Sequence, residues 1–278
     1  MNPLLIVLTP VFNEAWILSA FLKATSTWAD YIIVADQMST DGSRNIYSQY
    51  DKVIVIDNPI SDMHQARTRK LLFDYVSKIE GDKILFTLDA DEFLSSDFTH
   101  TQSWENILNS KPSDVFEFRW MNLVSDMTKY STWQPYYWAV HVDDGLFNGE
   151  FPDNFIHEWR LPWPSQTKSE QIYVINDISF IHFARANARR QQNKEKFYLF
   201  STLVKEPDHS AIALFRQYDD SHVKLYDVPS DVFIHYKTLG IDLIHEINFE
   251  DEGDHYTTAI LSFIKRYGIK RFSKLDVW

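Results

Sequence analysis

The sequence predicts an α/β protein built on a doubly wound, mostly parallel sheet, with an irregular aromatic-rich second half and C-terminal helices. Three observations carry this. Continuous apolar runs recur at Leu4–Thr9, Tyr31–Asp36, Lys52–Asp57 and Lys83–Leu88; short runs without alternation are strands buried on both faces. Segments with helical spacing lie between them, so strand and helix alternate as in βαβ units. Turn residues close each run: Pro10 and Asn13, then Ser39-Thr40-Asp41-Gly42-Ser43, then Asn58-Pro59.

Taken in order, Leu4–Thr9 is the first strand. Ala15 to Thr25 follows as a helix, with Trp16, Leu18, Phe21 and Leu22 on one stripe. Tyr31–Asp36 is the second strand, and residues 44–50 suit a short helix. Lys52–Asp57 is the third strand, and Ser61 or Asp62 can cap a longer helix through about Ile79. Lys83–Leu88 is the fourth strand, ending at Asp89. From about residue 121 the rhythm is lost: 121–165 is rich in Trp, Tyr, Pro and Asp without a clean period. Ile172 to His182 reads as one or two strands, Ala186 to Lys205 as a long polar helix and Tyr256 to Tyr267 as an amphipathic one. No linker divides the chain, so a single domain over 1–278 is expected.

Composition narrows the function. Lys and Arg total 27 against 39 Asp and Glu, a net charge of −12, which argues against a general nucleic-acid binder. With no cysteine, disulfide, zinc–thiolate, iron–sulfur and Cys-nucleophile chemistry are excluded. The apolar runs fall far short of the roughly 20 residues that span a bilayer, and the first lacks a basic leader, so it reads as a strand and the protein as cytoplasmic. Neither G-x-G-x-x-G nor G-x-x-x-x-G-K-[ST] follows the first strand. Phosphates would then be met by a metal.

In an open parallel sheet, ligands bind beyond the carboxyl ends of the strands. This sequence places Thr9, Pro10 and Glu14 there, then Asp36 and Asp41, then Asp89-Ala90-Asp91-Glu92. Converging carboxylates repel one another unless a cation sits among them. With 26 aspartates in the chain, about two Asp-x-Asp triplets arise by chance, so position is what counts. Residues two apart in extended chain point the same way, and two carboxylates at a strand end suit Mg²⁺ or Mn²⁺ on a diphosphate. On the residues alone, both aspartates could instead cap the next helix.

Thr9-Pro10-Val11-Phe12-Asn13-Glu14, Asp36 with Ser39-Thr40-Asp41-Gly42-Ser43, Gln65-Ala66-Arg67, and Leu88-Asp89-Ala90-Asp91-Glu92 together resemble the GT-A glycosyltransferases of family 2, in order and spacing, over residues 4–94. The resemblance implies a Rossmann-like GT-A domain, with a donor half at 1–120 and an acceptor half with C-terminal helices at 121–278. It implies that Thr9, Pro10, Glu14, Asp36, Arg67, Asp89 and Ala90 bind a nucleotide-diphosphate sugar, a UDP-sugar favoured. It further implies that Asp89, Asp91 and His182 hold Mn²⁺ or Mg²⁺. By the resemblance, the family's catalytic base maps to Glu158 in Ile156-His157-Glu158, with Asp153 as runner-up. Residues alone leave Arg67 as a solvated helix face beside Arg69 and Lys70, Glu158 as a surface acid and His182 as a hydrogen-bonded strand end.

The implied activity is single, inverting transfer of a sugar to a hydroxyl of a glycan or glycolipid, for cell-surface polysaccharide synthesis. The Gln-x-x-Arg-Trp signature of processive synthases is absent. Arg185, Arg189, Arg190, Lys194 and Lys196 form either a positive flank for the leaving diphosphate or a solvated face. Trp133, Tyr136, Tyr137, Trp138, Trp159 and Trp163 could stack on sugar rings or pack a core. The basic, aromatic C-terminal helix around Lys265 and Arg266 offers a peripheral membrane contact. A sugar-nucleotide nucleotidyltransferase is disfavoured because residues 9–14 hold neither Gly nor a basic residue. A non-catalytic nucleotide- or sugar-binding protein on the same fold is the other alternative.

Overall fold

A computed structural model describes residues 2–59, 65–124, 126–132, 136–142, 151, 160–162, 172–210 and 223–275. The elements are β1 (Leu4–Val11), α1 (Ala15–Thr25), β2 (Tyr31–Asp36), α2 (Ser43–Tyr47), β3 (Val53–Asp57), α3 (Gln65–Val76), β4 (Lys83–Thr87), β5 (Glu92–Leu94), α4 (Gln102–Leu108), β6 (Val115–Leu123), β7 (Lys129–Ser131), β8 (Tyr136–His141), β9 (Ile172–His182), α5 (Ala188–Lys205), β10 (Leu225–Asp227), α6 (Ile234–Thr238) and α7 (Asp254–Tyr267), with a 3₁₀ segment over Ile269–Leu275. Among the described residues no helix is long and apolar enough to cross a membrane.

One sheet runs β10-β7-β6-β8-β4-β1-β2-β3. The four strands read from sequence form its parallel part, β4-β1-β2-β3. β4, β1 and β2 are covered on both faces, whereas β3, at the sheet edge, is partly exposed. Leu5 and Val7 of β1 pack with Ile17 and Phe21 of α1, whereas Ile6 and Leu8 pack with Leu72, Phe73 and Val76 of α3. That two-sided burial is why these strands show no alternation. The architecture is the Rossmann-like α/β arrangement of a GT-A fold.

The second half extends the same sheet. β8 joins β4 antiparallel, β6 joins β8 antiparallel, and β9 lies parallel to β6. Part of the stretch expected to be irregular is therefore strand. Its period was hidden by register shifts at Phe116/Glu117 and between Glu117 and Arg119, since a bulge flips the faces of every later residue. β9 then returns to pair with β5, setting His182 opposite Glu92. This crossing brings the second half onto the β4–β5 turn.

Candidate active site

The first two strand ends are tied into one rim by side chains. Asn13 adopts φ 55°, a left-handed conformation that asparagine tolerates. Its amide N–H donates to Ser39 Oγ (2.9 Å) and its Oδ1 accepts from Thr40 N (2.8 Å). Asp41 accepts from Ala15 N (2.8 Å), satisfying a free N–H of α1's first turn. Asp36 is 0% exposed and accepts from Ser39 N, Arg44 and Tyr47. Thr9 is buried inside β1, paired with Val34. The structure thus gives Thr9 and Asp36 places beneath the rim. Pro10 and Glu14 line the cleft above it.

The Asp89-Ala90-Asp91 segment is a turn closed by Glu92 N donating to Asp89 O (3.0 Å). This corrects the expectation that extended chain points both aspartates the same way: the turn gives them different partners. Asp89 pairs with Arg69 (3.2 Å) and Arg160 (3.0 Å). Asp91 Oδ2 lies 3.5 Å from His182 Nε2. Glu92, wholly buried, accepts from Arg160 (2.7 and 3.0 Å), Trp120 Nε1 (2.9 Å) and Asp89 N (2.9 Å). Burial would raise the Asp91 pKa, but His182, then Lys194 and Arg160, overcome it and hold the group well below the usual carboxylate range.

His182 is held as a metal-binding histidine would be. Asn122 Nδ2 reaches Ser131 O at 3.5 Å, which turns Asn122 Oδ1 toward His182 Nδ1 at 2.6 Å. With Nδ1 engaged by Asn122, Nε2 is the ring nitrogen that faces Asp91. The ring stacks on Trp120 at 4.8 Å. Two ligands about 2.1 Å from one octahedral cation sit about 3 Å apart, so this pair fits a divalent ion. Asp89 does not complete a triad, and among the described residues no group of three His, Asp or Glu is arranged to hold a metal.

A cleft of about 120 Å³ opens beyond β1, β2 and β4. Pro10, Phe12, Glu14, Gln37 and Gln65 line one side, and Arg69, Asp89, Ala90 and Asp91 the floor. Lys194 and Tyr198 of α5 and Tyr256 of α7 close the top. Burial opposes the Lys194 charge, yet Tyr198, Tyr256, Asp91 and Glu14 keep its pKa well above that of ordinary lysine. Glu14 is pushed up by burial, against the pull of Arg190. Arg190 itself is committed to Glu14 (3.0 Å), Asp251 (2.5 Å) and Asn13 O (2.8 Å).

Of the residues read from sequence, Pro10, Glu14, Asp89, Ala90 and Asp91 meet in the cleft, and His182 adjoins it through Asp91. Arg67 is exposed on α3. Arg69, two residues on and 4% exposed, faces Asp89 instead. Its Nε and Nη1 have no hydrogen-bond partner among the described residues, and burial, with Arg160, lowers its pKa to about 10. Glu158 and Asp153 lie outside the described residues, as do Trp133, Trp159, Trp163 and His157. Trp138 is packed inside against Phe180, a core residue. Arg69, Arg160 and Tyr256 were not anticipated at the site.

These features form a cleft at the carboxyl ends of a mostly parallel sheet. Residues 6–108, a little over a third of the chain, match the model of Glycosyl transferase family 2. No curated protein matches the chain. Among solved structures, glucosyl-3-phosphoglycerate synthase from Mycobacterium tuberculosis, in complex with Mn²⁺, UDP and phosphoglyceric acid, is similar at 18% identity and TM-score 0.31. The likeness covers 42% of this chain and 43% of that one. HddC from Yersinia pseudotuberculosis is 10% identical over 66% of this chain and 93% of its own, with TM-score 0.36. A putative glucose-1-phosphate thymidylyltransferase from Bacillus anthracis is 13% identical over 84% and 92%, with TM-score 0.31. Likenesses this partial carry no argument about function.

Proposed function

We propose that the protein transfers a sugar from a nucleotide-diphosphate donor, UDP-sugar favoured, to a hydroxyl of a glycan or glycolipid, with inversion and one addition per encounter. The observation that carries this reading is the composition of the cleft. It joins an acidic turn, an Asp91–His182 pair and a lysine that makes no ion pair among the described residues, at the strand ends where α/β sheets bind ligands. Asp91 and His182 would hold Mn²⁺ or Mg²⁺, which would supply charge stabilisation to the departing diphosphate. Lys194 adds a second positive charge on that side, and Arg69 carries three N–H groups, one on Nε and two on Nη1, that no described residue accepts and that would serve the donor nucleotide. Asp89, fixed by Arg69 and Arg160, presents its remaining acceptor capacity beside Ala90.

In the reaction, an acceptor oxygen attacks the anomeric carbon as the bond to the diphosphate oxygen breaks. The acceptor proton passes to a carboxylate, the role assigned to Glu158 with Asp153 as runner-up. Support for Glu158 comes from its neighbour: Arg160, two residues on, is bound to Asp89 and Glu92. The reading places the chemistry in the cytoplasm.

A thermal-shift panel of UDP, GDP, CDP and dTDP, each with and without Mn²⁺, tests it. Ligand at about 100 times its Kd stabilises by about 2.7 kcal/mol, which raises Tm by several degrees. The expected result is a shift with UDP that requires Mn²⁺. No shift with any nucleotide would overturn the reading. Nucleotide binding without sugar transfer or donor hydrolysis would favour a non-catalytic binding protein. If Glu158→Gln retains turnover while Asp153→Asn abolishes it, the base is Asp153.

A further inference from the structure

α7 and the 3₁₀ segment behind it expose three large apolar side chains, Leu261 (61%), Tyr267 (41%) and Ile269 (62%). Lys265, Arg266 and Lys270 are exposed among them. None of the three makes an ion pair among the described residues; Arg266 lies over the Tyr267 ring, 5.4 Å from its centroid. The neighbouring cations are used differently. Arg271 donates to Leu203 O and Val204 O, and Lys274 to Pro207 O and His209 O, so both close off the end of α5. Phe272 is buried against Leu199 and Leu203. The segment is therefore fixed, and the outward residues are presented by packing.

Lysine and arginine in a last helical turn complement the helix dipole, and a single exposed leucine is ordinary. Neither accounts for three exposed apolar groups within nine positions, interleaved with three uncommitted cations, on a chain of net charge −12. We propose that this surface docks on an anionic phospholipid bilayer. Leu261, Tyr267 and Ile269 enter the headgroup layer, and Lys265, Arg266 and Lys270 meet lipid phosphates. Charge selects this occupant. A symmetric contact with a second copy would set six cations against one another, whereas an anionic surface neutralises them. An acidic chain needs such a local positive face to approach anionic lipid at all.

α7 also contributes Tyr256 to the cleft. At about 1.5 Å per residue, Leu261 to Tyr267 lie about 8–17 Å along the axis from it. A bilayer held here keeps a lipid-borne acceptor within reach of the cleft; this consequence rests on the transferase reading, whereas the docking does not.

The test is flotation of the full chain with phosphatidylcholine vesicles and with vesicles holding about 30% phosphatidylglycerol, at low and high salt. The expected result is binding to the anionic vesicles only, reversed by salt. The triple variant Lys265→Glu, Arg266→Glu, Lys270→Glu should lose on the order of 100-fold in partitioning, at about five-fold or more per cation. Leu261→Ser with Ile269→Ser should weaken binding without changing its salt dependence. Lys78→Glu, an exposed cation elsewhere, should leave it intact. Equal loss with Lys78→Glu, retention by the triple variant, or no vesicle binding would overturn the proposal. So would self-association that the triple variant abolishes. The UDP and Mn²⁺ thermal shift of the triple variant should match the parent, separating failure of docking from failure of the nucleotide reading.

Discussion

Arg160 is the residue whose loss should hurt most, for a reason that can be isolated. Its guanidinium donates to Glu92 at 2.7 and 3.0 Å, to Asp89 at 3.0 Å and to Thr87 O at 3.2 Å. It also lies over the Trp120 and Trp138 rings at 5.5 and 5.3 Å. Glu92 is 0% exposed, and Arg160 is the cation hydrogen-bonded to it. Replacing Arg160 by Met keeps most of the volume but strands a buried carboxylate. Removing one partner of a buried ion pair costs about 3–5 kcal/mol, and the lost contacts to the two indoles add to it. Replacing both partners is a different matter, because a matched pair of neutral side chains is often nearly as stable as the ions. Glu92→Gln keeps acceptors for Trp120 Nε1 and Asp89 N. Urea unfolding of Arg160→Met, Glu92→Gln and the double variant measures this. The single arginine variant should lose about 3–5 kcal/mol and the double variant should recover more than half of that loss. If Arg160→Met costs under about 1 kcal/mol, or the double variant is as unstable as the single, Glu92 is not the group that Arg160 neutralises.

Asn122→Leu should leave the fold intact but free the His182 ring, lowering Mn²⁺ affinity about 10–100-fold as followed by calorimetry, with Asp91→Asn lowering it further. Arg69→Ala should weaken UDP binding about ten-fold or more through lost charge-assisted hydrogen bonds, whereas Arg67→Ala should change it little; equal effects would show that α3 does not present Arg69 alone to the nucleotide. His255 carries a pH prediction. Burial, followed by the charge of Arg190, lowers its pKa to about 4, against about 6.5 when unfolded. The folded state then binds fewer protons, so this contribution is complete above about pH 6.5 and is lost as the pH falls toward 4, by at most about 3 kcal/mol. His255→Phe should flatten that limb in Tm measured across the range, and an unchanged slope would assign the limb to other groups.

The parallel half of the sheet was legible because its chemistry is local. Strands covered by α1 on one face and α3 on the other must be continuous in apolar residues, and they are. β9 was read at its observed bounds, whereas β6 and β8 were less legible because the register shift between them interrupts the period on which the reading depends. At the site, the carboxylates were found from their places at strand ends, but their partners were not. Arg160 is 71 residues from Asp89 and Arg190 is 176 from Glu14, distances over which no spacing rule operates. Arg69 was within reach. Thr68, Arg69, Leu72, Phe73 and Val76 form the buried stripe of α3, and residues two apart on a helix face different ways. The stripe that selects Leu72 and Val76 selects Arg69 and turns Arg67 outward.

These pairings change the argument for a metal. A cluster of acids at three strand ends is an argument for a bound cation only while the acids lack partners. In the folded chain most have one: Asp36 has Arg44, Glu14 has Arg190, Asp89 has Arg69 and Arg160, and Glu92 has Arg160. Repulsion is relieved by arginines drawn from α2, α3, α5 and the 160–162 segment, so it calls for no ion by itself. What remains is narrower and chemically more specific. Asp91 faces a histidine whose other nitrogen is held by Asn122, and Lys194, which lines the same cleft, makes no ion pair among the described residues. A ligand that completes this arrangement has to bring anionic charge for the lysine and oxygen donors for an ion between Asp91 and His182. A diphosphate supplies both, and inorganic phosphate or a carboxylate supplies the charge with weaker bridging. Competition by pyrophosphate against UDP should therefore strengthen on adding Mn²⁺ in the parent. It should not strengthen in His182→Ala, a result that the arginine-paired acids alone would not produce.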